Sequence, residues 1–562
     1  MVLRSVFSPE ASHGTATQAA LTEYVMSIAS GVGLLEKETP QSYSEALNSK
    51  DAAKWQAAML KEVDSCEKHH TWKVIDRSSL PDDANVIPVK WVYKMKTDSS
   101  GRVTEFKARL TPKGFRQVHG VDYFEVFANT GKYKTLRVAL SIAARLDMEL
   151  EHLDVPSAFL NADLQEKVFM EMPEGFGVKG KVYRLLKALY GLKQAPRLWY
   201  LLMSSFIKES LGFTACVSDP CLFFRMSRSG KLMLIFLFVD DVQGGFMEAD
   251  RSEWDEYKLK MKERFNIKDL GRSEWMLGMR IGRDRVKKTI TLDQELYVTK
   301  SLEKFGLSEC KSALTPAEVG DGWQETVNDS DTDHQLYMEK VGTLLYAAIS
   351  TRPDISFAVN QLTQHMQAPK RRHAVACDRV FRYLAGTKSL GLVFGTTQGG
   401  PNSSMAVSAY SDADWGHNKV DRKSITGWMA QVNGDLVSWA SKKQRTVSLS
   451  TCEAELYAES SAIQETLWLR GLMSELKLLP DGPSTVMSDS QSAIAVSKNG
   501  VRSERTKHVD IKYHFVTDVI ERGDIQLEWV SSKDQLADLL TKGMCTPTFV
   551  GLRDRVMEAI HV

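Results

Sequence analysis

Two adjacent aspartates, Asp240 and Asp241, close a run of eight consecutive apolar or aromatic residues, Leu232 to Val239. Carboxylates at the end of a buried segment must reach water or a counter-ion, because an unpaired buried charge is prohibitively costly. A hard divalent cation such as Mg²⁺ suits them, since it takes oxygen ligands, usually one or two carboxylates together with substrate phosphates. Successive strand residues face opposite ways, so both aspartates approach one metal pair only where the chain turns, and Gly244-Gly245 are expected to supply that turn. Alone, such a pair reads more simply as a solvated hairpin turn. A second run ends the same way: in MELEHLDVPSAFL, Asp154 closes an expected strand and Ala158-Phe159 follow the turn. Two strands, each presenting an aspartate at its exit, are what a two-metal site needs, with ions about 3.5–4 Å apart sharing a ligand.

A second acidic set begins after Met405. Asp412 and Asp489 stand at expected strand ends, Asp538 opens out from a short helix, and a long helix from Ser450 to Leu476 carries Glu453 and Glu455. Two residues apart on a helix means about 200°, so only one of the two glutamates faces the others. Four converging carboxylates repel one another unless ions neutralise them, which again points to a two-metal site.

These residues must be positioned by a sizeable structure. The 562-residue chain is 43% apolar and 25% charged, the composition of a globular protein of roughly three to five domains. No apolar run reaches membrane length, and the net charge of +1 leaves nucleic-acid binding to local basic patches. Seven cysteines show no zinc spacing, which fits a reduced compartment inside the cell, and the N-terminus does not look like a secretory signal. His69-His70 lacks a second ligand pair.

In chain order, residues 1–40 give no clear element. Helical spacing then sets Trp55, Met59 and Val63 on one stripe. Strand-like TWKVIDR and VIPVKWVYKMKTD follow, with a turn expected at Asp98 to Gly101. The next segment gives Lys107, Arg109, Lys113 and Arg116 one basic face, either a solvated sheet face or a grip on phosphates. A helix is expected over Lys134 to Asp147, and a basic, aromatic turn, Tyr190 to Arg197, leads into another. Residues 306–335 read as a linker and 336–390 as helical. The cluster Lys370-Arg371-Arg372-His373 reads equally as a phosphate contact or a solvated turn. Beyond Met405 come strands MAVSAYSD, WMAQVNGDLVSWASKK, STVMSDS and IQLEWV, with helices at QSAIAVSKN and, last, KDQLADLLTKG.

The segments LYGLKQAPRLWY, LDVPSAFLNADL, FVDDV, FKARLTPKGF and GVDYFEVFA together closely resemble the reverse transcriptase of copia-type LTR retrotransposons. The likeness continues in order through KDLGRSEWMLGMRI, LLYAAISTRPDISFAVNQL, YSDADW, TCEAELYA, SDSQSAIAVSKN, TKHVDIKYHF and DQLADLLTKGM, over about residues 40–545. The resemblance implies a multidomain α+β and α/β chain: a right-hand polymerase of fingers, palm and thumb with a connection region, then an RNase H-like α/β domain. Fingers and palm would span 41–305, the linker 306–335, the thumb and connection 336–400, the RNase H-like domain 405–545, and a C-terminal tail 546–562. It implies Asp154, Asp240 and Asp241 as catalytic metal ligands of the palm, and Asp412, Glu455, Asp489 and Asp538 as those of the nuclease. Glu453 is the alternative to Glu455. Phe159 would lie under the incoming sugar, Lys107 and Arg109 would meet the triphosphate, and Tyr190, Gly191, Gln194 and Pro196 would pack on the nascent base pair. Trp275 to Ile281 would be the primer-grip hairpin. His508 and His514 read as structural rather than catalytic.

The implied cofactors are Mg²⁺ or Mn²⁺, two ions per site. The implied partners are an RNA template, a DNA or tRNA primer, dNTPs and the RNA–DNA hybrid, with no membrane, and the implied location is cytoplasmic, with the nucleus also open. Pro156-Ser157, Asn129-Thr130-Gly131 and Phe238 depart from the family pattern, so an inactive or domesticated remnant that binds nucleic acid is the competing expectation. No protease, capsid or integrase motif is present in the sequence given.

Overall fold

The computed structural model describes residues 39–97, 102–320, 329–395, 405–416, 418, 421–499 and 510–560. The first elements are α1 (Tyr43–Asn48), capped by Ser42, and α2 (Ala52–Lys68), which buries Trp55, Met59 and Val63 as the spacing predicts. Strands β1 (Trp72–Asp76) and β2 (Val86–Ile87) precede a long hairpin, β3 (Val89–Thr97) and β4 (Val103–Pro112). Trp55 meets Tyr93 and Phe106 of that hairpin edge-on, at 5.2 and 4.8 Å between ring centroids. The turn expected at Asp98 to Gly101 lies outside the described residues.

The next elements are α3 (Tyr133–Leu146), β5 (Glu149–Asp154), β6 (Asp163–Met170), β7 (Lys181–Lys187) and α4 (Ala195–Glu209). Strands β8 (Thr214–Ala215), β9 (Leu222–Met226), β10 (Leu232–Phe238) and β11 (Asp241–Phe246) come next, then α5 (Arg251–Phe265) and β12 (Lys268–Arg272). They build a six-stranded sheet in the order β12-β5-β11-β10-β9-β8, while β1-β7-β6-β2 forms a smaller one. Every residue of β10 is buried, which explains its unbroken apolar run.

Gly244 and Gly245 do not form the turn expected of them. They lie inside β11, paired with Ile235 and Leu234, and the hairpin turns instead at Val239-Asp240. Gly244 is needed for packing: a Cβ there would stand 2.1 Å from Cζ2 of Trp254 on α5.

Strands β13 (Trp275–Met276), β14 (Met279–Asp284) and β15 (Thr289–Asp293) lead to α6 (Glu295–Lys304), α7 (His334–Ser350), α8 (Ser356–Thr363), α9 (Arg371–Gly386) and β16 (Leu390–Phe394). The stretch read as a linker is partly packed. Ala313, Thr315 and Ala317 are buried, and Arg379 of α9 pairs with Glu318, because small apolar residues interrupt the polar run. The basic cluster at 370–373 is largely consumed within the protein: Lys370 pairs with Asp331, Arg372 with Asp329, and buried His373 stacks on His365 at 3.7 Å.

The last part contains β17 (Val407–Asp414), β18 (Ile425–Val432), β19 (Asp435–Lys443), α10 (Thr451–Glu475), β20 (Ser484–Ser488), α11 (Gln491–Asn499), α12 (Asp510–Glu521), β21 (Ile525–Trp529), α13 (Thr546–Arg553) and β22 (Glu558–Ala559). The sheet order is β19-β18-β17-β20-β21, antiparallel on the β19 side and parallel on the β21 side. The segment read as one strand at WMAQVNGDLVSWASKK is a hairpin. Asn433 and Gly434, at φ 51° and 85°, make its two-residue turn, an Asn-Gly signal that the sequence does contain. The expected last helix is instead two 3₁₀ segments, Ser532–Asp534 and Leu536–Leu540, split where the Gln535 side chain bonds Ser411 O and Ala537 N. The C-terminal residues are no loose tail, for β22 pairs with β16.

A single buried apolar core joins α3, β14–β16, α7–α9 and the last sheet, while a second lies between the elements up to β7 and the other face of the six-stranded sheet. Polar contacts cross the same seam. Buried Arg137 of α3 donates to Val437 O, Ile349 O and Ser350 O at 2.7–2.9 Å and lies 4.0 Å from the Trp439 ring. Lys134 pairs with Glu465 of α10 at 2.8 Å, and its ammonium lies 3.7 Å from the Trp468 ring.

Candidate active sites

The antiparallel register of β5 and β11 sets Asp154 directly opposite Asp241. Asp240 sits on the two-residue turn, whose first residue, Val239, has φ 54°. A β-branched residue in the left-handed region is strained by about 1–2 kcal/mol and persists only where its surroundings fix it. Here Trp199 of α4 donates its indole N–H to Val239 O at 2.6 Å, and Val155 N donates to Asp240 O at 2.9 Å. The three aspartates therefore gather at one end of the sheet, on three different backbone settings.

Each carboxylate of the pair has its own side-chain partner. Tyr190 Oη donates to Asp240 Oδ2 at 3.2 Å, and His152 Nε2 lies 2.7 Å from Asp241 Oδ1. Burial, then Asp241 and Asp154, raise the Asp240 carboxyl above its ordinary range, while the Tyr190 hydroxyl opposes the shift. Burial and Asp240 push the Tyr190 phenol upward, which keeps it a donor. The Tyr190 ring meets Phe159 at a tilt, 4.3 Å between centroids, and the Arg109 guanidinium lies over it at 4.2 Å. Lys107 and Arg109 share one face of β4, and burial followed by Arg109 lowers the Lys107 ammonium.

Other expected site residues serve the frame. Gly191, at φ 106°, allows its loop to meet the end of β4, where a Cβ would stand 2.5 Å from Pro112 O. Gln194 does not face the aspartates: it is buried, donating to Asp122 O at 2.8 Å and accepting from Gln117 Nε2 at 2.9 Å. Pro196 lies in the first turn of α4. Trp275 to Ile281 is a tight hairpin, as expected, turning at Leu277-Gly278. Of the departures, Gly131 has a packing reason, for a Cβ there would lie 2.5 Å from the Phe236 ring. Ser157 adopts φ 54° just beyond Pro156.

The second site is more compressed. Ligand oxygens of Asp412, Glu455 and Asp489 lie within 4.8 Å of one another, the one such group of three found among the described residues. Gly427 stands opposite Asp412 across β17–β18, and its missing side chain admits Thr541, whose methyl would be 2.6 Å from a Cβ. The Thr541 hydroxyl in turn donates to Asp412 Oδ2. Ser450 caps α10 by accepting from Glu453 N, and Glu453 Oε2 accepts from Leu449 N at 2.7 Å. That capping role leaves Glu455, not Glu453, inside the cluster.

Glu455 Oε2 is buried without a hydrogen-bond partner, and burial together with Asp412 and Asp489 pushes its carboxyl up to about 10. Asp538, on the second 3₁₀ segment, rises to about 7 through burial and Asp412. An orphaned buried oxygen in a set of hard donors fits a divalent cation. Two residues here escaped the sequence reading. Lys542 reaches Asp538 Oδ1 at 2.7 Å and Asp412 Oδ2 at 3.9 Å, and buried Glu459, one turn beyond Glu455, rises to about 7 through burial. His514 is exposed on α12, whereas His508 lies outside the described residues.

A sheet that gathers three aspartates at a hairpin, followed by a mixed sheet with an acidic cluster, defines a polymerase palm joined to an RNase H-like domain. Residues 69–319 match the family described as "Reverse transcriptase (RNA-dependent DNA polymerase)". The chain is 36% identical over 530 residues to the retrovirus-related Pol polyprotein from transposon TNT 1-94 of Nicotiana tabacum, covering 93% of this chain and 38% of that protein. It is 32% identical over 548 residues to the Pol polyprotein from transposon RE1 of Arabidopsis thaliana, covering 97% and 36%. A foamy viral protease-reverse transcriptase solved in complex with RNA/DNA hybrid aligns with TM-score 0.45 and 12% identity, over 86% of this chain and 54% of that one. The chain thus belongs to the copia/Ty1-type retrotransposon Pol polyproteins, carrying their reverse transcriptase and RNase H-like domains. It spans little more than a third of the length of these two relatives. No helix among the described residues is long and apolar enough to cross a membrane.

Proposed function

We propose that this chain is an RNA-directed DNA polymerase that also cuts the RNA of the resulting hybrid. Supporting the reading above all is the palm geometry, in which Asp154 faces Asp241 while Asp240 is held on a strained, clamped turn beside them. Asp154, Asp240 and Asp241 would hold divalent ions, as would Asp412, Glu455, Asp489 and Asp538. Held there, divalent ions would supply Lewis-acid stabilisation of the charge that develops on the phosphate and would lower the pKa of the attacking hydroxyl or water.

The chain's own residues do the positioning. Arg109 meets the triphosphate from the fingers while its guanidinium is braced on Tyr190. The Phe159 ring, packed on Tyr190, forms a floor under the incoming sugar that leaves no space for a 2′-hydroxyl. Tyr190 and His152 orient Asp240 and Asp241, so both carboxylates are fixed in place before substrate arrives. Template and primer are gripped through their backbones, which carry no sequence information directly.

The test is primer extension on an RNA template with Mg²⁺ or Mn²⁺, run beside cleavage of a labelled RNA–DNA hybrid. Wild-type chain should do both; Asp240→Asn should lose extension alone and Asp489→Asn cleavage alone. A folded, hybrid-binding wild-type chain with neither activity would overturn the reading in favour of a non-catalytic remnant.

A further inference from the structure

Resting on the nuclease reading above, a second pattern is visible among its four carboxylates. They divide into two overlapping sets that share Asp412. Asp412, Glu455 and Asp489 bring ligand oxygens within 4.8 Å of one another. Asp412 and Asp538 are instead bridged by the Lys542 ammonium, 3.9 and 2.7 Å from their oxygens. One set is open to a cation and the other already contains one.

We propose that Lys542 is a resident cation of the nuclease site: it fills the position between Asp412 and Asp538, so the free chain takes one divalent ion and admits a second only when Lys542 withdraws.

Three observations carry this. Lys542 is aimed by its neighbours: Thr541 is bonded to Asp412, and on the other side the Gly543 backbone packs so closely on Glu318 that a Cβ would lie 2.2 Å from its carbonyl oxygen. The position it fills is of the bridging kind, since two-metal sites place ions about 3.5–4 Å apart around a shared carboxylate, here Asp412. Its side chain is 40% exposed, whereas those of Asp412 and Asp538 are 4% and 8% exposed. A flexible four-carbon stem with one end at the surface can retract without disturbing the buried carboxylates. Lys542 is therefore a positioning residue, which keeps the acidic cluster folded before ions and substrate arrive and sets when the second ion enters.

The experiment is a Mn²⁺ titration of the full chain followed by electron paramagnetic resonance, with Asp240→Asn and Asp241→Asn present throughout to silence the palm. The parent should take up one Mn²⁺. Lys542→Met and Lys542→Gln, two neutral replacements that differ in their hold on Asp538, should take up two, with the second bound at least about tenfold more tightly than in the parent. The pair should also show the spectral broadening of neighbouring ions. Lys542→Arg should behave as the parent. Equal stoichiometry and affinity in the parent and both neutral variants would overturn the role of Lys542 while leaving the nuclease reading intact. Uptake that is absent throughout, or unchanged by Asp489→Asn, would overturn both.

Discussion

In the palm, three aspartates share one end of a sheet, and two of them have a separate neutral or imidazole partner, Tyr190 for Asp240 and His152 for Asp241. In the RNase H-like domain, Asp412, Glu455 and Asp538 are almost fully buried, Glu455 has an orphaned oxygen, and the nearest compensating charge is a lysine. The palm gives two of its carboxylates a hydrogen-bond partner each, whereas the RNase H-like domain packs its carboxylates together and leaves the charge to be balanced. Both sites raise a buried carboxyl, but the first opposes the shift on Asp240 with the Tyr190 hydroxyl, whereas the second leaves a Glu455 oxygen without a partner and its carboxyl raised to about 10.

The largest expected effect tests whether the two are independent. Asp241→Asn should lower primer extension on the order of a thousandfold, the scale for removing charge control from phosphoryl transfer, and leave hybrid cleavage unchanged. Loss of both activities would mean that the sites are not separable. Next, Glu455→Gln should abolish cleavage, while Glu453→Gln should keep it and lower stability by about 1 kcal/mol, measured by urea unfolding, as a helix-start residue does. Equal loss in the two would put the wrong glutamate in the cluster.

Packing supplies the third test. Gly244→Ala should destabilise the chain by about 1–3 kcal/mol through overpacking against Trp254, without touching any carboxylate. A neutral effect in urea unfolding would show that α5 can shift.

The fourth concerns metal-free stability. Glu455 is raised from 4.5 to about 10 and Asp538 from 3.8 to about 7, so across these windows the folded state binds more protons than the unfolded one. Stability contributed by these groups is then present at low pH and is lost as pH rises. With a chelator present, Tm should fall by several degrees between mildly acidic and mildly alkaline pH. Millimolar Mg²⁺ should flatten the fall, and Glu455→Gln should remove most of it. A flat profile without metal would erase the contrast between the sites.

The smallest effect belongs to the palm. Tyr190→Phe removes a hydrogen bond that favours ionised Asp240, so the acid limb of the extension profile should move to higher pH. An unmoved limb would mean that Tyr190 acts through stacking alone.

The strands that lead to Asp154 and Asp240, the α2 stripe and the long helix α10 were legible because burial writes periodicity and apolar runs into sequence. Other features depend on pairings that sequence does not display. The turn expected at Gly244-Gly245 falls at Val239-Asp240, where no glycine or proline marks it and Trp199 imposes it from a distance. His152 meets Asp241 only through the register of β5 on β11. Lys542 stands four residues after Asp538, a spacing that suggests a helical pair. The 3₁₀ segment that positions Asp538 could not be told from an α-helix by composition. The Asn433-Gly434 turn, by contrast, does carry an Asn-Gly signal, which the single-strand reading of the segment passes over.

The seam formed around Arg137, Lys134 and the shared apolar core has a consequence for how such a chain can be shortened. A boundary drawn near residue 400 separates two catalytic labels but no two independent bodies. A break anywhere between Gly395 and Met405 would leave the halves clasped, with Arg137 still bonded to Val437 and Ile349. A fragment ending before Met405 would instead bare the apolar faces that β19 and α10 now cover, along with the buried guanidinium. Truncation here is therefore a solubility problem before it is a catalytic one.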